Sequence, residues 1–161
     1  MKNPGPSHTT TSPGGGPQAA AERYSYQYAA KFLCTANLPG TSQSTPSVLP
    51  GVYQTAINIH NPHEKGVSLR KKLAVAVPPG GQKPGPISRF VKERLEPDQA
   101  LSISCNEIAR DFGITFVHGA EGFLVIESTD RLDVVAVYTA GKRGGEVESI
   151  AVERVPGREI R

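Results

Sequence analysis

The run at 122–140, GFLVIESTDRLDVVAVYTA, constrains the fold more than any other part of the chain. It holds two apolar segments, 123–126 and 132–138, rich in the β-branched and aromatic residues that suit a pleated surface. Ser128, Thr129, Asp130 and Arg131 between them are polar and turn-competent. The spacing therefore predicts an antiparallel hairpin with a loop of about four residues. In the second segment Leu132, Val134, Ala136 and Tyr138 point one way, Val135 and Val137 the other. Apolar character on both faces predicts a strand covered from both sides, at the centre of a sheet.

Period-two alternation recurs along the chain. In 23–36, Tyr24, Tyr26, Tyr28, Ala30, Phe32 and Cys34 share one face, and Ser25, Gln27 and Lys31 the other. The segment 52–60 turns Tyr53, Ile57 and Ile59 inward, and the turn residues Asn61 to Gly66 lead to 67–77 as its partner strand, with Val67, Leu69, Leu73, Val75 and Val77 inward. Lys71 breaks that pattern, as a snorkelling side chain or a bulge does. Further strands are expected over 87–95, 100–105 and 147–155, and a short helix over 107–112, N-capped by Asn106 and stopped by Gly113. The loops 37–50 and 78–86 are Pro-rich or Gly-rich. About eight strands with one short helix predict an all-β fold, an antiparallel β-sandwich of immunoglobulin-like or jelly-roll type.

Residues 1–22 hold almost nothing apolar beyond Ala, and are expected to form a disordered arm. The domain then spans 23–156, with a frayed tail at 157–161. About 130 residues bury enough surface to fold without metal or staples. The net charge is +3 and the basic residues are interleaved with acids, which argues against a nucleic-acid module. No apolar run is long enough to span a membrane, and 1–16 carry no apolar signal core, so a cytoplasmic protein is the default; a mature form, or export by a signal-less route, would look the same. Cys34 and Cys105 both fall on inward positions and read as buried free thiols. Paired, they would close a long loop worth about 4 kcal/mol.

No catalytic motif is present: no nucleophile elbow, phosphate loop, dinucleotide fingerprint or zinc-protease helix. The weak metal candidates are His60, His63 and His118, whose ring directions no regular element fixes, and no cofactor is expected. The interaction candidates are Tyr24, Tyr26 and Tyr28, as a packed edge or a stacking platform, and Arg70 and Lys72 on a basic strand face. The Gly-rich tip at 141–145 is expected as a strand-to-strand turn.

The segments YQTAINIHNPHEKGVSLRKKLAVAVP, LEPDQALSISCNEI and GFLVIESTDRLDVVAVYT, in that order, resemble the sensory rhodopsin transducer family of small β-proteins. The resemblance covers about half the chain and implies a β-sandwich that assembles as a homo-oligomer, a tetramer, and works by binding partners. The N-terminal arm, the tyrosine-rich strand and the 37–50 loop depart from that family. The ending VVAVYTA…VERVPGR also looks like that of a prokaryotic family. The expected function is that of a non-enzymatic, self-associating structural, adaptor or scaffold protein. The other reading is a module binding a carbohydrate, anion or metal through the tyrosine strand or the His60/His63 turn.

Overall fold

Alternation along the first strand decides where the core sits. In the computed structural model, which describes residues 22–37, 48–76, 83–113, 119–142 and 144–161, β1 (Tyr26–Asn37) buries Tyr28, Ala30, Phe32 and Cys34. The arm expected over 1–22 except Glu22, most of the 37–50 loop, and His118 lie outside the described residues.

The remaining elements follow as β2 (Gly51–His60), β3 (Val67–Ala76), β4 (Val91–Leu95), β5 (Ala100–Ser104), α1 (Cys105–Phe112), β6 (Ala120–Ser128), β7 (Asp133–Gly141), β8 (Val147–Arg154) and β9 (Arg158–Glu159). The strands form one curled antiparallel sheet in the order β4-β3-β6-β1-β2-β7-β8, with β5 on the far side of β2 and β9 on β1. The expected all-β, antiparallel class with one short helix is what the chain adopts.

The curl turns on β1. Its residues from Tyr26 to Cys34 pair with β6, and from Thr35 onward it pairs with β2. Where the β1–β2 ladder stops, the Thr55 hydroxyl accepts from Leu33 N at 3.0 Å and donates to Leu33 O at 3.2 Å, satisfying both backbone groups at the bend. Both arms of the curl feed one core: Leu69, Leu73, Leu124 and Ile126 from one, Ile57, Ile59, Ile103, Val134 and Ala136 from the other. Each Leu, Ile or Val among them contributes about 1.5–3 kcal/mol by leaving water.

Two expected hairpins are crossovers instead. β6 pairs with β1 and β3, and β7 with β2 and β8, so the 129–132 link passes from one arm to the other. Its polar groups hook sideways: Thr129 N donates to Ser68 O at 3.0 Å, Ser68 N to Thr129 Oγ1 at 3.2 Å, and Leu132 N to the Tyr28 hydroxyl at 2.7 Å. β2 and β3 likewise do not pair. Asn61, fully buried between them, donates from its amide to the carbonyls of Lys65, Leu95 and Glu96 at 2.8–3.1 Å, while its own carbonyl receives His63 N. That one side chain ties two crossovers together, since 96–99 carries the chain from β4 to β5 across the same end. The hairpin expected at the Gly-rich tip does form, between β7 and β8.

Four further expectations are corrected. Cys34 and Cys105 form a disulfide, Cα–Cα 5.7 Å, which pins the start of α1 to β1 at the bend. The helix is capped by Ser104, not Asn106: Ser104 Oγ accepts from Asn106 N at 3.2 Å and Glu107 reaches back to Ser104 N at 3.0 Å, a capping box written in the sequence as S-x-x-E. Its end at Gly113, φ 65°, is as expected. The tail at 157–161 does not fray, because Gly157 lets the backbone lie against the Tyr28 ring, and Arg158 and Glu159 then pair with Gln27 and Tyr26. Lys71 marks no bulge, since the β3–β6 register runs unbroken through it. Its side chain points inward, with the ammonium 2.9 Å from Asp111 of α1 and 3.5 Å from Glu93.

Candidate functional site

Three surfaces gather the residues with interaction chemistry. The first lies on the outer side of β3 and β6. The Arg70 guanidinium sits between two rings, 4.3 Å from the Tyr24 centroid and 4.1 Å from that of Phe90, and Lys72 lies 4.6 Å over Phe90. Beneath, Arg70 Nε donates at 2.7 Å to Glu127, a buried carboxylate that also receives the Gln27 amide at 3.1 Å. Tyr24 precedes β1 and so escapes its alternation. Partial burial and its hydrogen bond to Glu22 push its hydroxyl pKa upward.

The structure thus brings Tyr24, Arg70 and Lys72 together and separates them from the other two tyrosines. Tyr28 is a core residue, 3% exposed, and offers no surface ring. Burial raises its hydroxyl pKa, partly offset by the Leu132 amide. Phe90 and Glu127 complete the cluster, and ISRFVK, one aromatic ring flanked by cations, is the sequence signal for the first of them.

The second surface is a cleft of about 410 Å³ at the crossover end, lined by Tyr26, His63, Arg131, Asp133, Arg154 and Gly157 among others. Arg131 lies 5.4 Å over Tyr26 and donates to Glu159 at 3.2 Å. Arg154 pairs with Asp133 at 2.7 Å. His63 Nε2 is 2.6 Å from Arg131 O and 3.7 Å from Asp130, whose carboxyl pKa is lowered chiefly by the hydrogen bond from Lys65. His60 lies apart, 3.8 Å from Asp98 and 3.7 Å from Asp133. Among the described residues no three His, Cys, Asp or Glu side chains converge as metal ligands would.

The third surface is β8. It hydrogen-bonds to β7 along one edge, and every one of its residues is exposed. Val147, Ile150 and Val152 are 60%, 61% and 67% exposed, an uncommon concentration of apolar area on a strand whose other edge is unpaired among the described residues. The sequence signal was VESIAV itself, apolar on both faces in the last long strand. Among the described residues no helix is long and apolar enough to cross a membrane.

No family model matches the chain, and no curated protein matches it. A solved structure similar to it is that of Thermotoga maritima 1070, at 9% identity over 84% of this chain and 95% of that one, with a TM-score of 0.49.

Proposed function

We propose that this chain is a non-enzymatic, self-associating β-protein that acts as a structural, adaptor or scaffold element through protein–protein contacts. In this reading the curl is an antiparallel sandwich of immunoglobulin-like or jelly-roll type. The resemblance to the sensory rhodopsin transducer family enters the same proposal, as a homo-oligomer that binds partners. The observation that carries it is strand β8, uncovered among the described residues, where Val147, Ile150 and Val152 stand 60–67% exposed. The Cys34–Cys105 bond supports maturation in an oxidising compartment rather than the cytoplasmic default. Light scattering on the full-length protein across micromolar concentrations tests the reading. A defined oligomer is expected; a monomer throughout would overturn it.

A second reading is favoured by one juxtaposition: Tyr26 of the tyrosine strand and His63 of the histidine turn line the same cleft, beside Arg131 and Arg154. Those groups suit a small carboxylate or phosphate. Both arginines already hold carboxylates, Glu159 and Asp133, which places this reading second. Thermal shift with citrate and inorganic phosphate separates it from the first, since saturable binding raises Tm by mass action.

A further inference from the structure

We propose that β8 pairs antiparallel with β8 of a second copy about a twofold axis at Ala151, so that one continuous sheet crosses the dimer. This deepens the self-association reading and rests on it.

The backbone is presented for it. Val155 N donates to Val134 O at 2.9 Å, so by the alternation of antiparallel pairing Ser149, Ala151 and Glu153 turn their N–H and C=O groups toward β7. Ile150, Val152 and Arg154 then turn theirs to the edge that is unpaired among the described residues. The register is regular from Ser149 to Arg154, and the one shift, between Ala140 and Gly141, leaves Glu148 as the residue skipped at the bulge.

Symmetry restricts the pairing to a few registers. A twofold axis perpendicular to the sheet keeps each face on its own side, so the axis must pass through a residue position. Centred on Ile150, it sets Glu148 against the partner's Val152. Centred on Val152, it sets Ile150 against the partner's Arg154. Centred on Ala151, it sets Ile150 against the partner's Val152 and Glu148 against the partner's Arg154, each twice by symmetry.

Of these three, the Ala151 register alone sets apolar against apolar at 150/152 and acid against base at 148/154, with Ser149 opposite the partner's Glu153 on the other face. It also makes the outward-facing positions Ile150 and Val152 hydrogen-bonded pairs, and leaves Ala151 in the close, non-hydrogen-bonded position where a small side chain fits. Val137, opposite Val152 within the subunit, continues the apolar stripe away from the seam. The Glu148 and Arg154 side chains, 54% and 80% exposed, pair within the subunit with Lys142 and Asp133, and the cross-dimer contact joins those two pairs into one charge network.

The test is sedimentation equilibrium on the full-length protein and on Glu148→Arg, Arg154→Glu and the double variant. Each single change is expected to raise the dimer Kd at least tenfold, and the double to return it to within about threefold of the unmodified value. Because Arg154→Glu also sets a carboxylate beside Asp133, Ala151→Cys carries the test independently. With Cys34 and Cys105 already bonded, it should form a covalent dimer under mild oxidation faster than Ser149→Cys. An oligomer whose Kd ignores the charge changes, with no preference for position 151, would overturn this interface and leave self-association standing. An unmodified protein that is monomeric throughout would overturn both.

Discussion

The Leu132 amide donates to the Tyr28 hydroxyl at 2.7 Å, so the link from β6 to β7 is tied to the first residue of β1's buried face. The two residues are 104 positions apart in sequence, and the bond holds the crossover where a hairpin would otherwise be expected. Tyr28→Phe keeps the ring and strands a buried N–H, which costs about 1–3 kcal/mol. Urea denaturation should show a lower midpoint at unchanged slope. An unchanged midpoint would mean that water satisfies the amide and the tie contributes nothing.

Asn61 is the other fastener at that end. Its amide group serves three carbonyls of two different links, and the backbone joins in, with Asn61 N donating to Gln99 O and Asp98 N to Asn61 O. Asn61→Ala should destabilise by about 3 kcal/mol, because buried carbonyls lose their donor. Asn61→Asp should be worse at neutral pH, since it points a carboxylate at those same carbonyls. Aspartate being better tolerated than alanine at pH 7 would contradict this account.

How much of this was legible in the sequence depends on the range of the interaction. Alternation is local, so the strand cores around Phe32, Ile57, Leu69, Leu124 and Val134 and the stop at Gly113 could be read directly. Pairing is not local: four polar residues at 128–131 suit a hairpin as well as a crossover, and Tyr28 and Ser68, far away in sequence, decide between them. The same distance hid the Cys34–Cys105 bond, spanning 71 positions, and the packing of Gly157 on Tyr28. Of the candidate site, Arg70, Lys72 and Tyr24 were visible as types. Their meeting on Phe90 and Glu127 required the β3–β6 register. The exposure of β8 required knowing that the sheet ends there.

The disulfide closes a loop of about 70 residues, and chain entropy puts its contribution at about 4 kcal/mol. Cys34→Ser with Cys105→Ser should lower the free energy of unfolding by that order, while the far-ultraviolet spectrum of the folded protein stays β-type. Thiol titration of the denatured, unreduced protein should find no free thiol. Two free thiols per chain would return the pair to buried, unlinked cysteines.

Lys71 and Asp111 make a pH prediction whose sign is fixed by the direction of the shift. The hydrogen bond from the Lys71 ammonium, and then its charge, hold the Asp111 carboxyl below its ordinary range. A carboxyl whose folded pKa is depressed adds stability that is present above its unfolded pKa, about 3.9, and is lost as pH falls through the lower folded value. Unfolding free energy should therefore fall below about pH 4. Lys71→Met should lack this part of the acid limb and cost less at pH 7 than the loss of the carboxylate, because Asp111 keeps the Arg110 guanidinium at 3.1 Å. Asp111→Asn should instead cost about 2–3 kcal/mol at pH 7, leaving the buried ammonium with Glu93 alone, 3.5 Å away. Equal losses from both changes at pH 7 would show that the pair is worth more than its desolvation, and an unaltered acid limb in Lys71→Met would assign the pH dependence to other carboxylates.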